Sequence, residues 1–312
     1  MYNYYRLVRK DFREADILTD ENSVNEISDQ SASNLTSVVT SCPESSSLTE
    51  ISKYWEDTFK ERRIKLQEKE KKTKTCSLQT YFRSFECLKA PLGLSLLEQD
   101  FYTIAEEIYS KKKEKLPDYS KLLLTEWPIL AKKILLICEK SKAVDVKQFV
   151  LNHAILIKKG THDSILALMV LPLILRSAPK KVELNSGPVT VTKQESSKCF
   201  ILHIQNADDL NDEQNSFETW LIDRSQEIYP YLIFLGNVEN PQISIVVNSE
   251  RYAFTDPLKA IDCCFKCLIA LDSFSFLCDF VWLFLDKVIY KLDYLNTKNT
   301  WVTKFVVDLK KL

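Results

Sequence analysis

The most regular alternation of hydrophobic and polar positions in this chain lies between residues 229 and 292. Residues 231–235 are continuously apolar and end at Gly236, a pattern typical of a strand covered on both faces. Apolar residues then alternate with polar ones from 243 to 247 and again from 252 to 254. Because turn-forming residues separate these two runs, the pattern predicts a β-hairpin.

Two helices are predicted after the hairpin. Asp256 can cap the first helix and Pro257 fits its first turn, because the carboxylate accepts from free amides and proline has a fixed φ. The buried stripe of this helix consists of apolar residues three and four positions apart: Ile261, Cys264, Phe265, Leu268 and Leu271. Residues 276–292 are apolar on most of the helix circumference, which indicates an interior helix. That apolar run is too short to span a bilayer and is interrupted by Asp279 and Asp286.

The chain before this region has mainly helical patterns. An amphipathic helix is predicted over residues 128–140, with its proline in the first turn, and a further helix over 145–158. Another helix begins near residue 161 and ends at 176, kinked or broken around Pro172. Its apolar core of eleven residues, 165–175, is again too short for a membrane span.

Proline and glycine mark residues 179–188 as a loop and as the boundary between a helical half and an α/β half. A capping box at residues 192–195 predicts a short helix. Residues 200–204 could extend that helix or form a strand. We favour a strand, because a helix over 212–227 and the strand 231–235 would then complete a right-handed βαβ crossover.

The predicted fold class is α+β. It combines a mostly helical N-terminal half with a small mixed sheet that contains a βαβ unit, a hairpin and two packed C-terminal helices. Residues 1–75 are predicted to be a disordered or weakly ordered charged segment, since residues 18–50 are polar and nearly free of aromatic side chains. A helical subdomain is expected over 76–178, and an α/β subdomain packed on it over 189–312.

Composition limits the classes of function. A hydrophobic content of 45% supports a core, and a net charge of −1 gives no general attraction to nucleic acid or anionic membranes. Only four glycines occur in 312 residues, so phosphate-binding and dinucleotide-binding loops are excluded. The first twelve residues lack the apolar segment of a secretory signal, which predicts an intracellular protein, cytoplasmic or nuclear, whose nine cysteines are reduced thiols.

No set of residues has the spacing of a catalytic or metal site. Cys263, Cys264, Cys267 and Cys278 are the nearest approach to a metal cluster, but they fall at helical spacing among apolar residues and are interpreted as core thiols. Residues 162–164 read His-Asp-Ser, yet neighbours on one helix point in different directions, so a helix cap at Thr161 or Asp163 is the simpler interpretation. His153 and His203 are expected to be structural. The sequence therefore predicts no catalytic residue, no cofactor and no metal, and leans against an enzyme.

Two basic segments, residues 60–74 and 111–115, are candidates for nucleic-acid contact. The simpler interpretation of each is a solvated surface, and of the first a helix with internal salt bridges. The candidate residues are Arg62, Arg63, Lys65, Lys71, Lys72, Lys74, Lys111, Lys112 and Lys113.

Several pieces of the chain resemble a family of uncharacterised intracellular proteins that is present in many copies in insect and fish genomes. The pieces are Trp127-Pro128 with Leu130, HDSILALMVLPLIL at 162–175, Phe200-Ile201-Leu202-His203, PLKAIDCCFKCLIAL at 257–271 and Val281-Trp282-Leu283-Phe284. The resemblance covers roughly residues 80–292. It implies association with mobile elements, and a sterile alpha motif or zinc-finger module at the N-terminus of some relatives. It implies no activity and no ligand.

Two departures from the family pattern matter. Neither N-terminal module precedes residue 76, which would fit a shortened copy and leaves targeting and partner choice open. The loop over 272–279 lacks the prolines of the family.

Three functional hypotheses follow. The leading one is a non-catalytic interaction module that binds an unknown protein partner or itself. The alternative is a nucleic-acid-associated accessory protein of a mobile element, acting through the two basic segments. The third is an enzyme whose site one sequence does not reveal. No membrane and no small-molecule substrate is expected as a partner.

Overall fold

The computed structural model describes residues 47–72, 78–89, 92–175, 180–184, 187–295 and 297–312, with only the backbone for 67–72. The helices are α1 Leu48–Asp57, α2 Phe59–Lys72, α3 Leu78–Ser84, α4 Gly93–Lys112, α5 Leu122–Glu139, α6 Val144–Asn152, α7 Ala154–Lys159, α8 Asp163–Ile174, α9 Lys193–Lys198, α10 Leu210–Asp223, α11 Pro257–Leu271, α12 Asp279–Leu285 and α13 Thr300–Lys310. The strands are β1 Lys180–Leu184, β2 Gly187–Val191, β3 Ile201–Ile204, β4 Tyr231–Leu235, β5 Gln242–Val247 and β6 Glu250–Phe254. The α+β class predicted from the sequence is confirmed.

The main sheet has the order β3-β4-β5-β6 and contains both predicted motifs. β3 and β4 are parallel with α10 between them, which is the βαβ unit, and β5 and β6 form the antiparallel hairpin. Asn248 and Ser249 form the two-residue turn with φ of 51° and 68°, the left-handed pair that matches the twist of a hairpin. Every residue of β4 is buried, as its continuous apolar run predicts.

α11 is the helix against which the two halves of the fold pack. It begins at the predicted cap, where the Asp256 carboxylate accepts from the amide of Leu258 at 2.9 Å, and Pro257 is in its first turn. One side of α11 lies on β4, β5 and β6, and it also packs closely on α4. At its centre the Phe265 ring stacks on Tyr290 at 4.0 Å between centroids and lies 6.5 Å from Phe101 of α4.

Two predictions about the chain between residues 120 and 190 are wrong in detail. The helix predicted to start at Pro128 begins six residues earlier, at Leu122. Trp127, just before the predicted start, is fully buried, and its indole N–H donates to the Ser164 carbonyl at 3.1 Å. The predicted loop 179–188 is the antiparallel hairpin β1–β2. Side chains alternate between the two faces of this hairpin, so that Val182 and Val191 are buried. The prolines and the glycine of this stretch made the alternation hard to recognise in the sequence.

Three other helical segments also differ from their predicted extent or continuity. α8 continues through Pro172 to Ile174. The helix predicted over 145–158 is divided at His153 into α6 and α7. The apolar segment 276–292 forms α12 and then one π-helical turn, Asp286–Tyr290, which ends at Lys291 with a φ of 52°.

The predicted weakly ordered segment 1–75 needs correction for its described part, and residues 1–46 and 73–77 lie outside the described residues. α1 and α2 belong to the same compact unit as the rest of the described chain. Their buried face consists of Trp55, Phe59, Arg62 and Leu66, spaced at four, three and four residues. That spacing is helical, but an arginine stands within the stripe and charged residues surround it, so the composition concealed it.

Arg62 is held in the core by contacts that suit a buried guanidinium. It forms an ion pair with Asp100 of α4, donates to the Trp55 carbonyl at 2.6 Å and lies over the Trp55 indole at 3.4 Å. The Trp55 indole N–H in turn donates to the Leu96 carbonyl of α4 at 2.9 Å. These contacts fasten α1 and α2 to α4.

Phe265 and Trp282 are 0% and 1% exposed, so replacing either with alanine should lower the free energy of unfolding by about 3–5 kcal/mol. Urea denaturation of F265A and W282A measures the loss. Ile222→Ala, at a position 60% exposed, is the matched control and should change stability by about 0.5 kcal/mol or less. Unchanged midpoints for both core variants would contradict this core.

Replacing only one partner of the Arg62–Asp100 pair should lower the free energy of unfolding more than replacing both partners with apolar residues. Arg62→Met leaves the Asp100 carboxylate buried without its cation and should cost about 3–5 kcal/mol, whereas the double variant R62M/D100L should recover much of that loss. Chemical denaturation at pH 7 measures both. Lys311→Ala, in an exposed ion pair with Asp308, should be nearly neutral. Additive single and double losses would show that the pair is not coupled.

Candidate functional site

Clustered polar groups lie around Lys266 and Arg62, which are buried, and around Glu195, which is partly buried. The exposed apolar side chains concentrate on α5, α6 and α7. Each of these regions has a geometry that decides what it can do.

Lys266 forms the largest buried charge cluster. Its Nζ lies 2.7 Å from Glu98 of α4 and 2.7 Å from Asp262, whose other oxygen accepts from the Tyr290 hydroxyl at 2.7 Å. Burial acts to lower the pKa of Lys266, but the two carboxylates outweigh it and hold this pKa well above its ordinary value. A lysine that serves as a base or nucleophile needs a lowered pKa. This cluster is therefore a salt-bridge network that joins α4 and α11.

Asp100 is the second buried acid. Burial raises its pKa to about 6, against the opposing effect of the Arg62 guanidinium. The Asp100 carboxylate and the Arg62 guanidinium lie in the packed interface between α2 and α4, where their side chains are 6% and 1% exposed. A substrate cannot reach these buried groups, so the ion pair serves to anchor α2 to α4.

Glu195 lies at a cavity of about 300 Å³ between α9 and α10, lined also by Lys198, Phe217 and Trp220. Its carboxylate closes the predicted capping box by accepting from the Thr192 amide at 2.8 Å, and it accepts from the Trp220 indole at 3.3 Å. Partial burial acts to raise its pKa, but these hydrogen bonds hold it below the ordinary value. Glu195 is therefore committed to structural contacts, while Lys198, Glu213 and Ser216 are the other polar residues that line the cavity.

Of the four cysteines considered as a cluster, Cys263 and Cys267 interact with each other, whereas Cys264 and Cys278 point to different backbone carbonyls. The Cys264 thiol donates to the Pro230 carbonyl at 3.7 Å, and the Cys278 thiol donates to the Cys199 carbonyl at 3.3 Å. Burial raises the pKa of both thiols well above the ordinary value. Among the described residues no group of three or more histidines, cysteines or acids is arranged to hold a metal ion.

The histidines have local partners. His153 Nδ1 lies 2.9 Å from the Phe149 carbonyl, and His203 Nε2 lies 2.8 Å from the Gly236 carbonyl. His162 occupies the N-cap position of α8 without a side-chain cap bond, so the predicted cap at Thr161 or Asp163 is not formed. The letters His-Asp-Ser at 162–164 therefore mark only the start of a helix.

Four of the predicted nucleic-acid residues have contacts within the fold. Arg62 is buried, Lys65 is half-buried beside the Phe85 ring, and Arg63 donates to the Tyr294 hydroxyl. Lys112 donates to the Leu292 carbonyl at 3.2 Å and to Asp293 at 2.9 Å. Lys111 and Lys113 are exposed. For Lys71 and Lys72 the structure describes only the backbone of α2, and Lys74 lies outside the described residues.

The exposed apolar side chains show a different distribution. Twelve large hydrophobic residues are exposed within the described ranges, and five of them fall between residues 129 and 155: Ile129, Leu136, Val144, Leu151 and Ile155. The last three are 79%, 70% and 73% exposed. Val144, Gln148 and Leu151 recur at four and three residues, which places them on one face of α6, and Ile155 follows on α7 just after the break at His153. We call Val144, Leu151 and Ile155 the α6–α7 stripe.

The opposite face fixes the orientation of this stripe. Val146 and Phe149 are buried, and α6 packs on α5 and α8. α7 packs on α8 but contains no fully buried residue. Single exposed hydrophobic residues are ordinary, but three that are each mostly exposed on two adjoining helices are typical of a contact surface.

The sequence predicted a helix here and did not single out the stripe. The helix has apolar residues on both faces, so the pattern alone did not indicate which set faces the interior. The spacing of 144, 148, 151 and 155 was the available signal.

Comparison with known proteins supplies no relative: no protein-family model, no curated protein and no solved structure matches this chain. None of the helices in the described part of the chain is long and apolar enough to cross a membrane.

The nucleic-acid alternative makes a quantitative prediction for Lys111 and Lys113. If they contact phosphates, affinity for single-stranded RNA or duplex DNA should fall steeply between 50 and 200 mM salt, and the variant K111A/K113A should flatten the salt slope by about one per lysine. Fluorescence anisotropy measures the slope, with K310A/K311A as the control. Affinity that is absent at low salt, or independent of salt, would sink this alternative.

Proposed function

We propose that this protein is a non-catalytic interaction module whose α6–α7 stripe binds another protein. The observation that supports the proposal is the exposure of Val144, Leu151 and Ile155 on two adjoining helices, of which α6 buries Val146 and Phe149 on its other side. Burying a side chain of this size in an interface is worth roughly 1.5–3 kcal/mol. Three together could supply the anchors of a moderate interface.

The charged groups described above support the same proposal, because each has a structural partner. Lys266 has two carboxylates within 2.7 Å, Arg62 has Asp100, and Glu195 has the Thr192 amide. Each is used between helices or within a cap. An enzyme would need convergent titratable groups in an accessible pocket, and these groups are occupied. The resemblance to a mobile-element-associated family stays a prediction and adds no activity.

Site-specific photo-crosslinking tests this proposal in the cells that produce the chain. A benzoyl-phenylalanine in place of Leu151 should form crosslinks to a protein identified by mass spectrometry. The same probe in place of Ile222, which is 60% exposed on α10, is the matched control and should not. Crosslinks at 151 should disappear when Val144→Asp and Ile155→Asp are added, because these charges oppose burial of the stripe.

The three positions are mostly exposed, so these changes should alter the free energy of unfolding by about 0.5 kcal/mol or less, which thermal unfolding checks. Equal crosslinking at 151 and 222, or none at 151, would refute the proposal.

A further inference from the structure

The surroundings of the α6–α7 stripe indicate the chemistry of its partner. We infer that the stripe binds an amphipathic helix with acidic flanks, contributed by a different protein. This inference rests on the proposed function and goes further, because it commits to one class of ligand.

The shape of the stripe fits one helix. Its three aliphatic side chains extend from residue 144 to 155 with Gln148 between the first two, roughly 16 Å at the rise of an α-helix, and the break at His153 lies between the last two. A partner helix presents apolar residues at i, i+3 or i+4, and i+7, which is a row of the same length and width. The absence of a large aromatic side chain from the row also suits close approach of two helices.

The charge around the stripe is one-sided. Residues 140–160 contain one acid, Asp145, and five lysines that are all exposed: Lys140, Lys142, Lys147, Lys158 and Lys159. Asp145 lies 3.9 Å from Lys193, and none of the five lysines forms an ion pair with a described residue. This region is therefore more basic than the chain as a whole, which has a net charge of −1. A partner with carboxylates beside its apolar row is complementary to it.

The same charges disfavour a second copy of the chain as the occupant. In a two-fold dimer each surface meets itself, so the stripe of one copy would bring these lysines against the lysines of the other. Like charges facing each other in an interface are unfavourable. A different protein with opposite charge avoids this repulsion.

A polar pair disfavours an anionic membrane. Gln148 lies within the stripe and donates to Asn152 at 2.8 Å, and both side chains are exposed. Inserting the stripe among acyl chains would carry these amides into a region without hydrogen-bond partners. A partner helix can satisfy them with its own polar side chains.

Selection from a library of displayed helical peptides tests the inference. Peptides of about 18 randomised residues, long enough to form a helix, are selected on the full chain and counter-selected on Leu151→Asp. The enriched peptides should share an apolar row and a net negative charge. Their affinity for L151D should be lower by about tenfold or more, as expected for the loss of a buried anchor, and unchanged for the control Ile222→Asp.

A charge exchange then tests the lysines directly. The variant K147E/K158E should weaken binding of an acidic peptide, and replacing the peptide's glutamates with lysines should restore binding to this variant but not to the wild type. Binding of the acidic peptide to the wild type should also weaken as salt rises.

The remaining outcomes overturn the inference, each in a distinguishable way. Enriched peptides without acidic character, or no peptide that distinguishes the wild type from L151D, would contradict the partner chemistry. Sedimentation that shows a dimer abolished by L151D would indicate a second copy, and flotation with vesicles of phosphatidylcholine and phosphatidylserine, abolished by L151D, would indicate a membrane. If crosslinks at 151 persist while the peptides lack acidic character, the proposed function stands and only this inference fails.

Discussion

The packing of Phe265 is the interaction on which the rest of the structure depends. Its ring stacks on Tyr290 and lies 6.2 Å from Trp282, and Trp282 lies 4.9 Å from Phe200 at the start of the sheet. On its other side Phe101 brings in α4 and the helices fastened to it. One aromatic cluster thus joins the sheet, the C-terminal helices and the N-terminal helices, because aromatic side chains bury large areas and meet at defined angles.

The charged groups within this core reinforce the same contacts. Lys266 directly follows Phe265 in α11 and forms an ion pair with Glu98 of α4. The α4–α11 interface is therefore held both by aromatic packing and by ion pairs. In the same way, Arg62 joins α2 to α4 through its ion pair with Asp100. A buried charge needs a partner, and the partner fixes which helices lie together. Lys266 and Arg62 therefore join α11 and α2 to the same helix, α4.

The surface has the opposite character at α6 and α7. There the side chains of Val144, Leu151 and Ile155 face water, and five exposed lysines lie nearby in the sequence. Covering exposed apolar side chains is favourable, which is why the proposed interaction is placed at these helices.

The sequence by itself determined the local elements. Asp256-Pro257 started α11, the run 231–235 gave a strand buried on both faces, and the two-residue turn at 248–249 set the hairpin, since each signal depends on neighbouring residues. Only the tertiary structure decided which face of α6 is inside, because apolar residues occupy both faces. It also decided that Arg62 is an interior residue, since its partner Asp100 lies 38 positions along the chain. Periodicity shows that a helix has a buried side, but the choice of side follows from long-range packing.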